Sequence, residues 1–402
     1  MNFSDFNLTP SLNEGLYSMG FDNPTPIQEQ AIPVIMEGKD LIACAQTGTG
    51  KTAAYLLPII HKLTEARVRM NSFKCLIIVP TRELATQIDQ QVEGFAYFSP
   101  VSSIAVYGGG EGNLWDVQKN ALTEGAEIVI ATPGRLISHL NLGYVNTSEL
   151  EYLILDEADR MLDMGFYDDI IRIIRLLPEN RQTLLFSATM PDKIRNLSKT
   201  IMHDPAQISL AVSKPAEGIM QAAYFVEDST KTALVIELLK DKRDATALIF
   251  SSKKTTVKKL EKELYKLGLS VAAMHSDLEQ KEREQTLLDF KNNKIQVLVG
   301  TDVIARGIDI TGISLVLNYD VPSDAEDYIH RIGRTARAEE TGVALTFVNR
   351  QDREKFRRIE KFLESSIYKI PLPDHLKSTE PVQDDQPKSG KRFNNFRKEN
   401  KS

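Results

Sequence analysis

The chain has 402 residues, a formal net charge of −6, 42% apolar residues and 26% charged residues. That length allows two or three domains with substantial cores, and the composition is that of a soluble globular protein rather than a fibrous or disordered one. No run approaches 18 uninterrupted apolar residues, and "MNFSDFNLTP" lacks a basic segment leading into an apolar one, which argues against a transmembrane helix or a secretory signal.

Two cysteines, Cys44 and Cys75, cannot build a disulfide framework and have no zinc-type spacing; both lie in apolar runs and read as small core residues. A reducing cytoplasm fits this pattern. The net charge neither suggests nor excludes nucleic acid, because a contact surface is local.

Short apolar runs follow one another along the first half: "LIACA", "CLIIVP", "EIVIATP", "YLILDEAD" and "TLLFSAT". The second half repeats the pattern with "ALIFSS", "SVAAMHS", "VLVGTD", "LVLNY" and "GVALTFV". Segments with helical spacing, such as "TRELATQIDQQVEGFAYF" and "TTVKKLEKELYKLG", lie between them. Strands alternating with helices predict parallel βα units, and continuous apolar strands predict sheets covered on both faces. The fold class is therefore α/β, with two tandem domains. Pro215 and Gly218 in the aperiodic "LAVSKPAEGIM" mark a linker. The expected bounds are 1–209 for the first domain, 210–218 for the linker and 219–369 for the second domain.

Residues 370–402 read as a disordered basic tail, with too little aliphatic content to fold alone. From Pro387 onward six Lys/Arg stand against one acid, with Phe393 and Phe396 interleaved. This is either a solubilising extension or one that adds phosphate contacts and base stacking to an RNA site.

Two stretches carry chemistry. "AQTGTGKT", Ala45 to Thr52, joins an apolar strand to a helix and keeps the Gly50-Lys51-Thr52 frame of a Walker A loop, with Ala45 in the first glycine slot. Such a loop turns backbone N–H groups onto phosphates; Ala45, Gln46, Thr47, Gly48, Thr49, Gly50, Lys51 and Thr52 are the candidate ligands of ATP. Lys51 would reach the terminal phosphates and the Thr52 hydroxyl would hold Mg²⁺. The second stretch is "LILDEAD", a strand ending in Asp156, Glu157 and Asp159. Alone it could be a solvated acidic turn. Beside a phosphate loop, Asp156 becomes a Mg²⁺ ligand and Glu157 the group that orients and deprotonates a water.

These residues resemble the DEAD-box family of ATP-dependent RNA helicases, bacterial type, named for the tetrad Asp156-Glu157-Ala158-Asp159. The match runs in order from about Phe3 to Phe362. It implies two RecA-like domains. Phe3 and "GFDNPTPIQ" look like the Q motif, which would stack Phe21 on adenine and set Gln28 on its edge. "PTRELA", "GG" and "TPGR" resemble RNA-contacting motifs and imply Pro80, Thr81, Arg82, Gly108, Gly109, Thr132, Pro133, Gly134 and Arg135 as RNA contacts. "SAT" implies that Ser187 and Thr189 couple to Asp159. In the second half "QKER" implies Arg283 and "TDVIARGIDI" implies Thr301 for RNA and Asp309 for the ribose. "HRIGRTAR", otherwise a surface basic cluster, implies His330 as a coupling residue and Arg334 and Arg337 as arginine fingers. Ala336 stands where many members have Gly.

The resemblance implies an RNA-dependent ATPase that opens short duplexes or remodels RNA–protein complexes; an ATP-dependent RNA clamp would use the same motifs. Contacts would run mostly to the RNA backbone and be largely sequence-independent. Ribosome or RNA-decay assemblies are conceivable partners, a membrane is not, and a monomer is expected.

Overall fold

The computed structural model describes residues 2–45, 48–65, 72–109, 113–210, 218–242, 245–275, 277–301, 313–323, 325–335 and 342–377. The first sheet contains β1 (Leu41–Cys44), β2 (Cys75–Ile78), β3 (Ser103–Val106), β4 (Ile128–Ala131), β5 (Tyr152–Leu155), β6 (Gln182–Ser187) and β7 (Ala206–Ser209). Its seven strands are parallel in the order β3-β4-β2-β5-β6-β1-β7. The second sheet contains β8 (Ile219–Phe225), β9 (Ala247–Phe250), β10 (Val271–Met274), β11 (Val297–Gly300), β12 (Leu315–Asn318), β13 (Gly342–Val348) and β14 (Tyr368–Lys369). Its order, β10-β11-β9-β12-β13-β8-β14, is the first sheet's order shifted by seven. The chain is one α/β wiring diagram used twice.

Burial on both faces explains the continuous apolar strands. Successive side chains of a strand point to opposite faces. On β2, Cys75 and Ile77 enter one core while Leu76 and Ile78 enter the other. Likewise Ala247 and Ile249 of β9 face one core, and Leu248 and Phe250 face another. Helices such as Lys51–Glu65 and Arg82–Phe95 cover these faces. Cys75 is buried, and that burial pushes its thiol pKa up, as expected for a core residue; Cys44 is only half-buried. No helix among the described residues is long and apolar enough to cross a membrane.

Contacts of the described residues reach across the expected bounds. Leu210 donates its N–H to the Cys44 carbonyl (3.0 Å) and packs on the first core, while Gly218 accepts from Gly342 N (3.0 Å). Residues 211–217 of the expected linker lie outside the described residues. At the other end, Ile370 donates to the Ala223 carbonyl (2.9 Å), and Ile370, Leu372 and Leu376 pack on the second core. Those three apolar side chains thus cover part of the second core. The rest of the expected tail, 378–402, lies outside the described residues.

Candidate functional site

Parallel strands end on one edge, so the residues just past β1, β5 and β6 converge. Ala45 N donates to the Ser187 carbonyl (3.0 Å), which ties the ends of β1 and β6 together. Beyond Ala45 the chain turns through Gly48 and Gly50, with φ of 83° and 89°, into the helix Lys51–Glu65. Gly50 is required twice over: its φ is left-handed, and a Cβ there would lie 2.5 Å from Gln28 Nε2. Lys51 Nζ donates to the Ala45 carbonyl (2.7 Å), closing the loop on itself.

Opposite the loop, Asp156 is 3% exposed. Its two carboxylate oxygens are accounted for: Oδ2 accepts from the Tyr55 hydroxyl (2.8 Å) and Oδ1 from Glu157 N (2.9 Å). Burial lifts its pKa to about 6, against the opposing pull of Lys51. The donors within reach, Asp156 and the Thr52 hydroxyl beside Tyr55, are hard oxygens. Among the described residues no cluster of three or more His, Cys, Asp or Glu forms a metal cage. One carboxylate and one hydroxyl fit Mg²⁺, which takes few protein ligands and fills its shell with phosphate and water.

Glu157 caps the helix Ala158–Asp163 in the left-handed region, φ 50° and ψ 48°. A non-glycine residue there costs about 1–3 kcal/mol, and such strain concentrates at functional sites. Arg160 NH1 donates to Glu157 Oε2 (3.1 Å), which orients the carboxylate.

Asp159 is the hinge between this edge and its neighbour. Its Oδ2 accepts from Ala188 N (3.2 Å), Thr189 N (2.9 Å) and Thr189 Oγ1 (3.0 Å). Ser187 Oγ in turn accepts from Asp159 N (3.3 Å). One carboxylate thus gathers the whole turn after β6.

A second feature lies along the same edge. Arg82, the first residue of helix Arg82–Phe95, lies over Gly109, where a Cβ would meet its NH1 at 2.1 Å. Arg135 of helix Pro133–Asn141 is near enough to Arg82 for the two charges to repel; burial first, and that repulsion, lower the Arg135 pKa. Two guanidinium groups held together favour an anion between or beside them. Gly108 and Gly134 have open space where a Cβ would sit.

The model of the DEAD/DEAH box helicase family matches residues 25–197, and that of the helicase conserved C-terminal domain matches 230–339. The ATP-dependent RNA helicase CshA of Listeria monocytogenes is 42% identical over 373 residues, covering 92% of this chain and 70% of that protein. The ATP-dependent RNA helicase DeaD of Haemophilus influenzae is 41% identical over 377 residues, covering 94% of this chain. Saccharomyces cerevisiae Dbp5 bound to RNA and ADP BeF3 is 32% identical with a TM-score of 0.82, over 92% of this chain and 95% of that one.

The chain belongs to the DEAD/DEAH box helicase family.

It spans 61% of the length of the Haemophilus DEAD-box relative. The two RecA-like sheets are those of the Dbp5 structure. Within this fold the motif residues divide by position. Gln28 is buried, donating Nε2 to the Gly50 carbonyl (3.1 Å) and accepting Thr25 N (2.9 Å) on Oε1. It braces the phosphate loop, which leaves one further hydrogen-bonding position at each end of the amide for a base. Phe21 is half-buried, edge-on to Phe95 (5.1 Å between centroids).

Three of the expected RNA contacts have buried side chains. Pro80, Thr81 and Pro133 are buried, and the Thr81 hydroxyl accepts from Leu84 N (3.3 Å) as a helix cap. Their side chains shape the loops from below instead of presenting a surface. Thr132 caps helix Pro133–Asn141 through its backbone, and its side chain is not used as a cap. Arg283 reaches across to the first domain, pairing with Glu83 Oε1 (3.3 Å) and donating to the His275 carbonyl (3.2 Å). Thr301 is half-buried, its N–H donating to the Met274 carbonyl (3.3 Å). His330 is half-buried on helix Ala325–Ile332, and Arg334, just past that helix, is 6% exposed. Gln46, Thr47, Asp309 and Arg337 lie outside the described residues.

Sequence reasoning missed Tyr55, Arg160 and Gln118. Tyr55 follows Lys51 by four residues, one helical turn, so it shares that lysine's face. Arg160 stands three residues after Glu157 on the same rule. Gln118 carries no local signal.

The repeated wiring also explains why the second sheet has no such loop. β8 stands where β1 does, and its following helix, Asp228–Leu239, carries Lys231 near its start. Lys231 is fully buried and pairs with Asp228 (2.9 Å) and Asp320 (3.2 Å). Burial pulls its pKa down, but the two carboxylates outweigh this and raise it.

Behind Arg135, His139 is fully buried, its Nε2 3.2 Å from Gln118 Oε1 and its Nδ1 in a short contact with the Tyr144 hydroxyl. Burial, then the Arg135 charge, lower its pKa to about 4. The sign follows directly. The unfolded imidazole titrates near 6.5, so between there and 4 the unfolded chain binds more protons. The stabilisation is complete above 6.5 and is lost as pH falls, by up to about 3 kcal/mol. A histidine NMR titration is expected to place His139 near 4. A midpoint near 6.5 would show that the ring is not held in this network.

Proposed function

We propose that the chain is an ATP-dependent RNA helicase, coupling RNA-stimulated ATP hydrolysis to local opening of short RNA duplexes or remodelling of RNA–protein complexes. The observation that carries this reading is the Asp156–Glu157 pair facing the Lys51 loop, with Asp159 binding the neighbouring turn. The relatives named as ATP-dependent RNA helicases and the RNA-bound Dbp5 structure support it.

In this reading the glycine loop and Lys51 bind the phosphates of ATP, while Phe21 and Gln28 receive the base and Asp309 the ribose. Thr52 and Asp156 hold Mg²⁺, which when bound neutralises phosphate charge. Glu157 orients the attacking water and accepts its proton; Arg160 holds the carboxylate in place. Arg334 and Arg337 of the second domain complete the charge complement of the transferring group, so turnover depends on the two domains meeting. Asp159 transmits that state to the turn at Ser187 and Thr189.

Arg82, Arg135 and Arg283, with the open glycines, receive the RNA backbone. A phosphate displaces Glu83 from Arg283, which makes strand binding and domain contact mutually sensitive. Opening costs about 1.4 kcal/mol per base-pair step by the DNA average, so one closure opens a few pairs and not a long duplex.

Steady-state ATP hydrolysis measured without nucleic acid, with single-stranded RNA and with single-stranded DNA tests the proposal. Stimulation by RNA and not by DNA is expected, followed by ATP-dependent release of a short RNA strand. Equal stimulation by DNA would sink the RNA reading. RNA-dependent hydrolysis with no strand release would leave a clamp.

A further inference from the structure

The chain has a single tryptophan, Trp115, on helix Leu114–Glu124, outside every motif used so far. Its ring stacks on His139, with centroids 4.0 Å apart and planes 13° from parallel. The Arg135 guanidinium carbon lies 4.2 Å from the same ring's centroid. Arg135 and His139 are four residues apart on helix Pro133–Asn141, so both side chains project from one face.

Gln118, three residues after Trp115, completes the support. Its Nε2 donates to the Tyr107 carbonyl (3.0 Å), while its Oε1 accepts from Arg135 Nε (2.8 Å). The same Oε1 lies 3.2 Å from His139 Nε2, which places the imidazole proton on Nε2 and leaves Nδ1 to accept from Tyr144. Arg135 is thus held at Nε and along its plane, with no hydrogen bond from its terminal nitrogens to any described residue. Those nitrogens share a neighbourhood with Arg82 and Gly109.

We propose that Trp115 is a positioning residue for nucleic-acid binding: it fixes the Arg135 guanidinium so that its terminal nitrogens grip an RNA phosphate. The inference rests on the RNA reading above. An arginine free to rotate loses conformational entropy on meeting a phosphate; one already stacked and bonded at Nε has lost it on folding. The indole ring carries both Arg135 and His139, and through the arginine it acts on the phosphate.

The test uses the full chain, a labelled single-stranded RNA, a non-hydrolysable ATP analogue and fluorescence anisotropy. Trp115→Ala is expected to weaken RNA binding by about five- to thirtyfold. The slope of affinity against salt should fall by about one phosphate contact, equally for unrelated RNA sequences. Trp115→Phe should recover most of the loss. In an Arg135→Ala background Trp115→Ala should add less than about twofold, since the two act as one unit. Nucleotide affinity reports whether the first domain is intact; if Trp115→Ala disturbs it, Trp115→Leu, which fills the space without a π face, takes its place. A Trp115→Ala affinity equal to wild type, or a loss that adds fully to that of Arg135→Ala, overturns the inference alone. Failure of the wild-type chain to bind RNA at all overturns both this inference and the RNA reading.

Discussion

Glu157→Gln is expected to lower RNA-stimulated kcat by about 10²–10⁴-fold, the range for removing a general base, while ATP-dependent RNA binding is retained or strengthened. Glutamine preserves the shape of the side chain and its reach to Arg160, so the left-handed turn at residue 157 stays as it is. What is lost is the ability to take a proton from water. Binding and domain closure precede that step and need no proton acceptor. The variant should therefore accumulate with ATP and RNA bound, as measured by RNA retention in the presence of ATP. An equal loss of RNA binding and turnover would mean that Glu157 maintains structure, and the assignment of its role would fall.

Asp159→Ala is expected to separate the two halves of the function. The carboxylate receives three donors from residues 188 and 189. Hydrogen bonds to a charged group are worth about 1.5–3 kcal/mol each, and the buried donors left behind lose their partner outright. The turn after β6 should loosen, with strand separation falling by at least about tenfold if 1.4 kcal/mol of coupling is lost. Hydrolysis should fall less, because Lys51, Asp156 and Glu157 keep their own contacts. Parallel assays of ATP hydrolysis and duplex release decide it. A variant in which both fall in proportion would place Asp159 in the hydrolytic machinery instead.

The two domains and their strands were legible because burial on both faces writes itself as unbroken apolar runs: "CLII" and "VLVG" cannot be half-exposed strands. The missed strands show the limit of that signal. β3 (Ser103–Val106) and β7 (Ala206–Ser209) are only partly buried, β8 (Ile219–Phe225) contains Gln221, Ala222 and Ala223, and β14 is two residues long. Their place is set by neighbours, β4 for β3 and β13 for β8, and not by their own hydrophobicity. The packing of Ile370, Leu372 and Leu376 left little trace in the sequence for the same reason: they are spaced among prolines and polar residues, and only the core beneath them shows that they are covered.

The site divides in the same way. The phosphate loop and the acidic strand end are local events, each a strand, a turn and a helix within a dozen residues, so residue order alone determined them. The glycines at 48 and 50 and the charges of 156, 157 and 159 could be read with no knowledge of what lies opposite. Tertiary structure decided which of these groups are partners. Tyr55 meets Asp156 across 101 positions, Asp159 meets Thr189 across 30, and Arg283 meets Glu83 across 200. Hydrogen bonds and ion pairs act over a few ångströms, and sequence distance carries almost no information about such separations once the chain has crossed the sheet. Pro80, Thr81 and Pro133 turned inward, and Trp115 came to lie on Arg135, for that reason: each outcome depends on a neighbour supplied by another part of the chain.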